Sequence, residues 1–313
     1  MKKQLVAAAA VAFLTTPALA EEKVASPIDN MNISTFGQVR AYAAVDSRDG
    51  VDAEVRSDTT RFGFKANGQA GTVGLFGELS ANVNANDANA LTTRFGYVGV
   101  SLPKLGSVGL GRQHSVQDGF TDAADIFMSA GNNSVQQMGF YQNNSIKYTN
   151  EIGGIKIGAL AAMADGDAGD ETIDRYEVGV GAYGFAISMG QDEGADTSYY
   201  GIGYGATYGK ITVGASYTIA DVNDGGSFED IVMFDSDKTT AVTRGIELAA
   251  GFAMSDKITI NGGYNVTDAD GDEGHALGEV VYSLGSNAVA FANIDYDVDA
   301  SEYVTQAGLN IKF

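Results

Sequence analysis

The chain has 313 residues, of which 40 are Asp or Glu and 19 are Lys or Arg, giving a formal net charge of −21 at pH 7. So acidic a chain repels nucleic acid, whose phosphates are bound by Lys and Arg, and no nucleic-acid partner is expected. With no cysteine, it has neither disulfides nor thiolate metal sites. The 41 glycines and 44% hydrophobic residues are not the composition of a disordered chain.

The first 20 residues have the layout of an export signal. Lys2 and Lys3 precede an apolar run over residues 5–14, and residues 18–20 (Ala-Leu-Ala) form a small-residue cleavage site. This run is shorter than the roughly 18 apolar residues of a membrane-spanning helix. We therefore predict a signal peptide over 1–20 and one exported domain over 21–313.

From about residue 31 onward, apolar residues alternate with polar residues or glycine. The clearest alternating stretches are 73–84, 200–208, 210–219, 258–265 and 303–313. A period of two indicates strands with one apolar face. Their length of about ten residues is the length that a tilted strand needs to cross a bilayer.

Two kinds of connection alternate between these strands. Seven are short turns, and eight are loops rich in Asp or Asn: 46–57, 85–91, 114–137, 164–172, 191–197, 222–242, 267–274 and, briefly, 297–300. This pattern predicts an all-β transmembrane antiparallel barrel of 16 strands, with both termini on the short-turn side. A barrel of that size encloses water, whereas one of about eight strands is filled by side chains.

A soluble β-sandwich or secreted barrel would show the same alternation with its apolar face inward. Two features favour the opposite orientation, in which the apolar face meets lipid. The polar face is rich in Gly, Ser, Thr and Asn with scattered Arg and Lys, as expected of a wet lumen. Aromatic residues also lie near strand ends, as at a membrane interface: Tyr97, Tyr148, Phe185, Tyr208, Tyr282 and Phe313.

Five stretches resemble the general diffusion porins of Gram-negative outer membranes, and the resemblance covers essentially all of residues 21–313. The stretches are 37–42, 60–65, 94–99, 110–113 and 118–125. The last lies where the third loop of that family folds into the barrel, and the terminal Phe313 resembles the family's assembly signal. The resemblance implies a homotrimer of 16-stranded barrels, embedded in outer-membrane lipid, with each pore narrowed by the third loop.

The resemblance further implies a constriction in which a basic wall faces an acidic loop, so that a transverse field selects polar solutes. The acidic side would be Asp122 and Asp125. The basic side would be Arg40, Arg61, Arg94 and Arg112, with Lys65, Lys147, Glu78 and His114 as further pore-lining residues.

The sequence departs from the family at residues 139–145, where a further basic residue is usual and none is present. Fewer cations in the basic wall, together with the acidic loops, predict a preference for cations.

Other motifs carry no function in this interpretation. Residues 179–184 fit the dinucleotide pattern G-x-G-x-x-G, but they lead into a strand where that site needs a helix. Asp268, Asp270, Asp272 and Glu279 approach a calcium-loop pattern, yet Glu273 occupies the position that needs glycine. The two histidines, His114 and His275, have no catalytic partners in sequence, so we expect no enzyme, no cofactor and no metal.

The predicted function is passive diffusion of small hydrophilic solutes and ions across the outer membrane. One alternative is a porin specific for one class of solute, which would need aromatic residues along the lumen. Only Tyr141 and Phe76 lie on or near the polar phase. Another alternative is a barrel whose acidic loops serve mainly as an adhesin or receptor.

Overall fold

The computed structural model describes residues 31–48, 52–57, 60–84, 91–128, 139–163, 173–222, 241–268 and 272–313. The predicted signal peptide, 1–20, and large parts of the predicted long loops lie outside these ranges. The boundary between signal and domain therefore stays a prediction. Within the described residues, no helix is both long and apolar enough to cross a membrane.

The described residues contain 17 strands and a short helix. The helix, α1, is Val116–Thr121. The strands are β1 (Asn32–Asp46), β2 (Asp52–Arg56), β3 (Thr60–Ala70), β4 (Val73–Val83), β5 (Leu91–Leu102), β6 (Gly106–His114), β7 (Tyr141–Ile152), β8 (Ile155–Met163), β9 (Ile173–Ala182), β10 (Phe185–Asp192), β11 (Thr197–Tyr208), β12 (Ile211–Val222), β13 (Ala241–Ala253), β14 (Ile258–Asp268), β15 (Asp272–Ser283), β16 (Ala288–Asp297) and β17 (Glu302–Lys312).

These strands form one closed antiparallel barrel. Each strand from β3 to β17 pairs with the next, and β17 pairs with β1 from Gln38 opposite Lys312 to Asp46 opposite Val304. Because β2 and β3 both pair with β1, along 42–46 and 32–38, they share one position in the barrel. The predicted all-β barrel of 16 antiparallel strands is confirmed.

The two faces of the strands differ in the way that a membrane barrel requires. In β1, Gln38 and Arg40 are each 7% exposed, whereas Val39 between them is 47% exposed. In β4, Glu78 is 9% exposed and the neighbouring Leu79 is 62% exposed. Polar side chains therefore line the inside of the barrel and apolar side chains cover the outside, which reverses the arrangement of a soluble barrel.

Several predicted loops are shorter in the structure. Residues 52–56 were expected within a loop, but they form β2, because Ala53 and Val55 alternate with charged residues as in any strand. The loop predicted at 191–197 is a turn of four residues, 193–196, between β10 and β11. Strands therefore continue into these acidic stretches beyond the apolar band. A high content of acidic residues does not show where strand pairing ends.

One aromatic residue was assigned to the wrong face. Tyr97 was expected in an aromatic belt facing lipid, but its side chain points into the barrel, where its hydroxyl donates to Glu78 Oε2 at 3.4 Å. It shares the inward phase of β5 with Phe95, which is 6% exposed. Tyr208, Phe185 and Tyr282 are exposed on the outer surface, as expected for an interfacial belt. Phe313, at the end of β17, is exposed but borders a cavity inside the barrel.

Candidate functional site

One side of the lumen is lined by basic side chains that surround a cavity of about 580 Å³. We call this side the basic wall. Its cations come from β17 and from β3 to β7: Arg61, Lys65, Arg94, Lys147 and Lys312. Among the described residues that line this cavity, Glu78 has the only side-chain carboxylate. The predicted pore-lining residues Arg61, Arg94, Lys65, Lys147, Glu78 and His114 thus come together in one space, and Lys312 was not anticipated.

Hydrogen bonds and an ion pair hold several of these groups in place. Lys65 Nζ lies 3.7 Å from Glu78 Oε2, so part of its charge is balanced locally. Lys147 Nζ donates to the main-chain oxygens of His114 and Ser115, at 3.0 and 3.2 Å. Lys147 therefore connects the barrel wall to the start of the loop that follows β6.

Arg112 lies outside the set of residues that line the cavity. Its Nε donates to the main-chain oxygens of Thr93 and Arg94, at 3.2 and 3.0 Å, and its guanidinium carbon lies 5.0 Å from the centre of the Tyr141 ring. Arg112 also donates to Asn143 Oδ1. These contacts orient Arg112 along the strand ends, whereas Arg61 and Arg94 border the cavity.

The opposite side of the lumen is covered by the described part of the loop after β6, residues 115–128, which we call the loop segment. It begins with α1, whose N-cap Ser115 accepts a hydrogen bond from the Asp118 main-chain nitrogen at 2.9 Å. The helix packs against the inner faces of β8 to β12, where Val116 clusters with Leu160 and Ala162, and Phe120 packs against this cluster. We call the inner faces of β8 to β15 the loop-covered wall.

Two buried glutamates of that wall bind the two ends of the loop segment. Glu177, in β9, is fully buried and accepts hydrogen bonds from the main-chain nitrogens of Val116 and Gln117, the latter at 3.0 Å. Glu279, in β15, is 3% exposed and accepts from the Met128 main-chain nitrogen at 2.8 Å. Acceptors that carry a charge make strong hydrogen bonds, so each end of the segment is fastened to the wall.

The far end of the loop segment also meets β1 and β14. Arg40 is 7% exposed and donates from Nη1 to the Met128 main-chain oxygen, so this predicted wall residue contacts the loop itself. Asn261 donates from Nδ2 to the Ile126 main-chain oxygen at 3.2 Å and to Glu279 Oε1 at 2.9 Å. Residues from three strands thus converge on Ile126 and Met128.

The two predicted acidic residues of the loop lie in different surroundings. Asp122 ends α1 and lines a smaller pocket of about 240 Å³ beside the short-turn ends of β8 to β10, together with Lys156. Asp125, three residues later, is exposed. Its pKa is raised because the surrounding protein removes part of its water and because Asp118 is close, while Arg40 acts in the opposite direction.

Glu177, Glu279 and Asn261 were not predicted from the sequence as functional residues. Each lies on the inward phase of its strand, and Glu177 is followed on that phase by Gly179 and Gly181. A carboxylate among inward-facing glycines is a signal that could have identified it, because such a group needs a partner from elsewhere in the chain. Glu279 had been considered only as part of a calcium-like pattern.

Comparison with known proteins agrees with this architecture. The sequence profile of the family described as Gram-negative porin matches residues 7–301. No curated protein matches the sequence.

Among solved structures, the trimer form of OmpT, an outer membrane protein of Vibrio cholerae, is similar with a TM-score of 0.68 and 18% identity, covering 91% of this chain and 100% of that chain. An anion-selective porin from Comamonas acidovorans gives a TM-score of 0.71 and 16% identity, covering 91% and 100%. OmpF of Salmonella typhi, in complex with daunomycin, gives 0.69 and 12%, covering 90% and 97%. With a profile that matches most of its length and the barrel that this family forms, the chain belongs to the Gram-negative porins.

Proposed function

We propose that this porin allows passive diffusion of small hydrophilic solutes and ions through a water-filled pore with a charged constriction, and that it prefers cations. The observation that supports the proposal most directly is the opposite character of the two sides of the lumen. Arg61, Lys65 and Arg94 border the cavity on one side, and Asp125 is exposed on the loop segment that covers the other. A field across a narrow wet passage orders water and polar solutes and disfavours apolar ones.

The preference for cations is supported by the overall charge. The net charge of −21 places an excess of carboxylates on the barrel and its loops. Such an excess raises the local concentration of cations at the entrance, especially at low ionic strength. The basic wall acts against this preference, so we expect the selectivity to be modest.

The packed rings of Phe95, His114 and Tyr141 do not favour the alternative of a solute-specific porin. Phe95 is 6% exposed and its ring packs against His114 and Tyr141, with centroids 4.6 and 5.3 Å apart. Rings that pack on one another in this way offer little open face to a sugar. A row of accessible rings along the passage, which such a porin needs, is not formed by these side chains.

We also propose that the mature protein begins after residue 20, resides in the outer membrane and assembles as a homotrimer. The Gram-negative porin family implies the outer membrane, and the similar OmpT structure is described as a trimer. The exposed apolar outer surface can meet lipid or a second copy of the chain. Mobility on a denaturing gel with and without heating tests both barrel and trimer: a heat-sensitive band of about three times the chain mass is expected, and a single monomer band contradicts the trimer.

Single-channel recording in planar bilayers tests the pore. A large ohmic current that sugars do not change, with a reversal potential on the cation side, is the expected result. Saturable block by one solute would instead identify a solute-specific porin. Absence of current from correctly folded protein would overturn the proposal and favour an adhesin or receptor.

A further inference from the structure

Glycines lie on the inner wall where the loop segment crosses it. On β8 and β9, a Cβ added to Gly158 or Gly179 would lie 2.9 or 2.8 Å from the Phe120 ring. On β11, a Cβ added to Gly201 would lie 2.6 Å from Thr121 Cγ2. These separations are shorter than van der Waals contact, so the helix α1 can lie where it does only because these positions lack side chains.

Two further glycines of the wall face the main chain of the loop segment. A Cβ on Gly203 would lie 3.1 Å from both the Phe120 carbonyl oxygen and Thr121 Cα. A Cβ on Gly214, in β12, would overlap the Ala123 carbonyl oxygen and lie 2.8 Å from Ala124 Cα. A flexible side chain could rotate away from such a contact, but a backbone must move as a whole. Gly214 is therefore the position most sensitive to an added methyl group.

Some glycines away from the loop segment are also crowded, but by neighbouring strands: a Cβ on Gly63 would lie 2.7 Å from the Leu79 carbonyl oxygen, and a Cβ on Gly308 would overlap the Ala41 carbonyl oxygen. A Cβ on Gly262, on the outer face of β14, would have Leu277 O at 3.9 Å as its nearest neighbour, and a Cβ on Gly96 would meet no atom within 4 Å. Contact with the loop segment is therefore what distinguishes Gly158, Gly179, Gly201, Gly203 and Gly214 from these glycines.

We infer that Gly158, Gly179, Gly201, Gly203 and Gly214, the glycine seat, set how far the loop segment extends into the lumen and so determine the width of the pore. This inference rests on the proposed function and adds the residues that position its constriction. Each absent side chain allows the segment to lie against the backbone of the wall and leaves more of the cross-section to water. A methyl group in the seat displaces the segment towards the basic wall.

Glu177 and Glu279 determine the direction in which the loop segment would be displaced. They bind the main chain at 116–117 and at 128, near the two ends of the segment. Ser216, on the wall between them, donates to the Thr121 main-chain oxygen. With its ends fastened, a segment that is pushed off the wall at Gly214 bows into the lumen. The glycine seat and the two glutamates are positioning residues, because they act on the pore through the loop.

Single-channel conductance of the full-length mature protein tests the seat. We expect Gly214→Ala to lower the conductance to roughly two thirds of the wild-type value, because ion flow follows the open cross-section. The matched control, Gly262→Ala, adds the same methyl group to open space on the outer face of β14, and its conductance should equal that of wild type. Equal conductance of Gly214→Ala and wild type, with both proteins folded by heat-dependent gel mobility, overturns the inference.

A crosslink tests the position of the segment without any recording of current. Ala123 Cβ lies 3.4 Å from the place of a Cβ on Gly205, next to the seat, and disulfides join Cβ atoms about 3.5–4.5 Å apart. Since the chain has no cysteine, the double variant Ala123→Cys with Gly205→Cys should form one intrachain disulfide and lose reactivity towards a maleimide. The pair Ala123→Cys with Gly262→Cys should keep two reactive thiols.

The outcomes separate this inference from the proposed function. If wild type conducts but the Ala123–Gly205 pair stays reduced under oxidising conditions, the segment does not lie on the seat and the inference fails while the porin function stands. If wild type is folded and carries no current, the proposed function fails. The disulfide measurement also remains decisive where Gly214→Ala does not fold, because it leaves the five seat glycines unchanged.

Discussion

The two sides of the lumen present polar groups to the pore in different ways. The basic wall presents long charged side chains, such as Arg61 and Lys65, directly to the cavity. The loop-covered wall presents glycine, and it carries its polar surface on a separate segment of chain that is held by Glu177 and Glu279. One side of the pore is therefore lined by rigid strands and the other by a loop fastened to them.

Because of this difference, the charge of the pore and its width depend on different residues. Substitutions on the basic wall change the field in the pore and leave its shape, because the strands are fixed by their ladders of main-chain hydrogen bonds. Substitutions under the loop segment change the shape and leave the charge. We therefore expect selectivity and conductance to respond to different sets of residues, and the predictions below test that separation.

The largest change in selectivity is expected from the basic wall. In the double variant Arg61→Gln with Arg94→Gln, the cation-to-anion permeability ratio should rise about threefold, as expected for two charges in a wet and salt-screened passage. Reversal potentials across a salt gradient measure the ratio. Arg112→Gln is the matched control, because Arg112 contacts Tyr141 and Asn143 and does not line the cavity. If Arg112→Gln changed the permeability ratio as much as the double variant does, the residues that control selectivity would lie elsewhere.

The basic wall could largely be predicted from the sequence because a strand fixes the direction of its side chains. Once the polar phase is assigned to the lumen, Arg61 and Lys65 must both point inward, since they lie four residues apart in β3. The same rule gives Glu78 and Lys147. For Arg112 the rule does not fix the direction of the side chain, because the register between β6 and β7 shifts between Gly111 and Gln113.

The loop-covered wall could not be predicted in the same way. Glu177 binds a residue 61 positions away and Glu279 binds one 151 positions away, and no local pattern encodes such contacts. The direction of Asp122 and Asp125 likewise depends on how the chain leaves α1 and not on a period. Glycine on the inward phase was visible in the sequence, but its structural role depends on which part of the chain lies against it.

On the loop segment, Asp125 should influence selectivity more than Asp122 does. Asp125→Asn removes an exposed carboxylate and should lower the cation-to-anion permeability ratio roughly twofold. Asp122→Asn, three residues away, changes a side chain that lines the smaller pocket beside Lys156, and its effect should be clearly smaller. Reversal potentials of the two variants decide between them. If Asp122→Asn has the larger effect, the smaller pocket is part of the ion path.

Lowering the pH should reproduce part of the effect of Asp125→Asn. The pKa of Asp125 is raised above the usual 3.8, so its carboxyl takes up a proton and loses its negative charge at a higher pH than an ordinary aspartate does. As the pH falls, we expect the cation preference of wild type to begin to decline above the range in which an ordinary aspartate titrates. Asp125→Asn should show a smaller decline, since it has no carboxyl to titrate at this position. Identical pH curves would mean that other carboxylates control the change.

The smallest effect is expected where a charge lies outside both walls. Arg244 Nη1 donates to Asp268 Oδ2 at 2.8 Å near the long-loop end of the barrel, and the Asp268 side chain is 53% exposed. Exposed pairs of this kind contribute about 0–1 kcal/mol to stability, so Asp268→Asn should leave the temperature of the gel-mobility transition almost unchanged. Its conductance should differ from wild type only at low salt, since the screening length is about 30 Å at 0.01 M and about 3 Å at 1 M.

Because Arg61 lines the cavity itself, its substitution should still change selectivity at the higher salt. If Asp268→Asn changed selectivity as much as Arg61→Gln does at 1 M salt, the filter would lie at the entrance, and the contrast between the two walls would not explain selectivity.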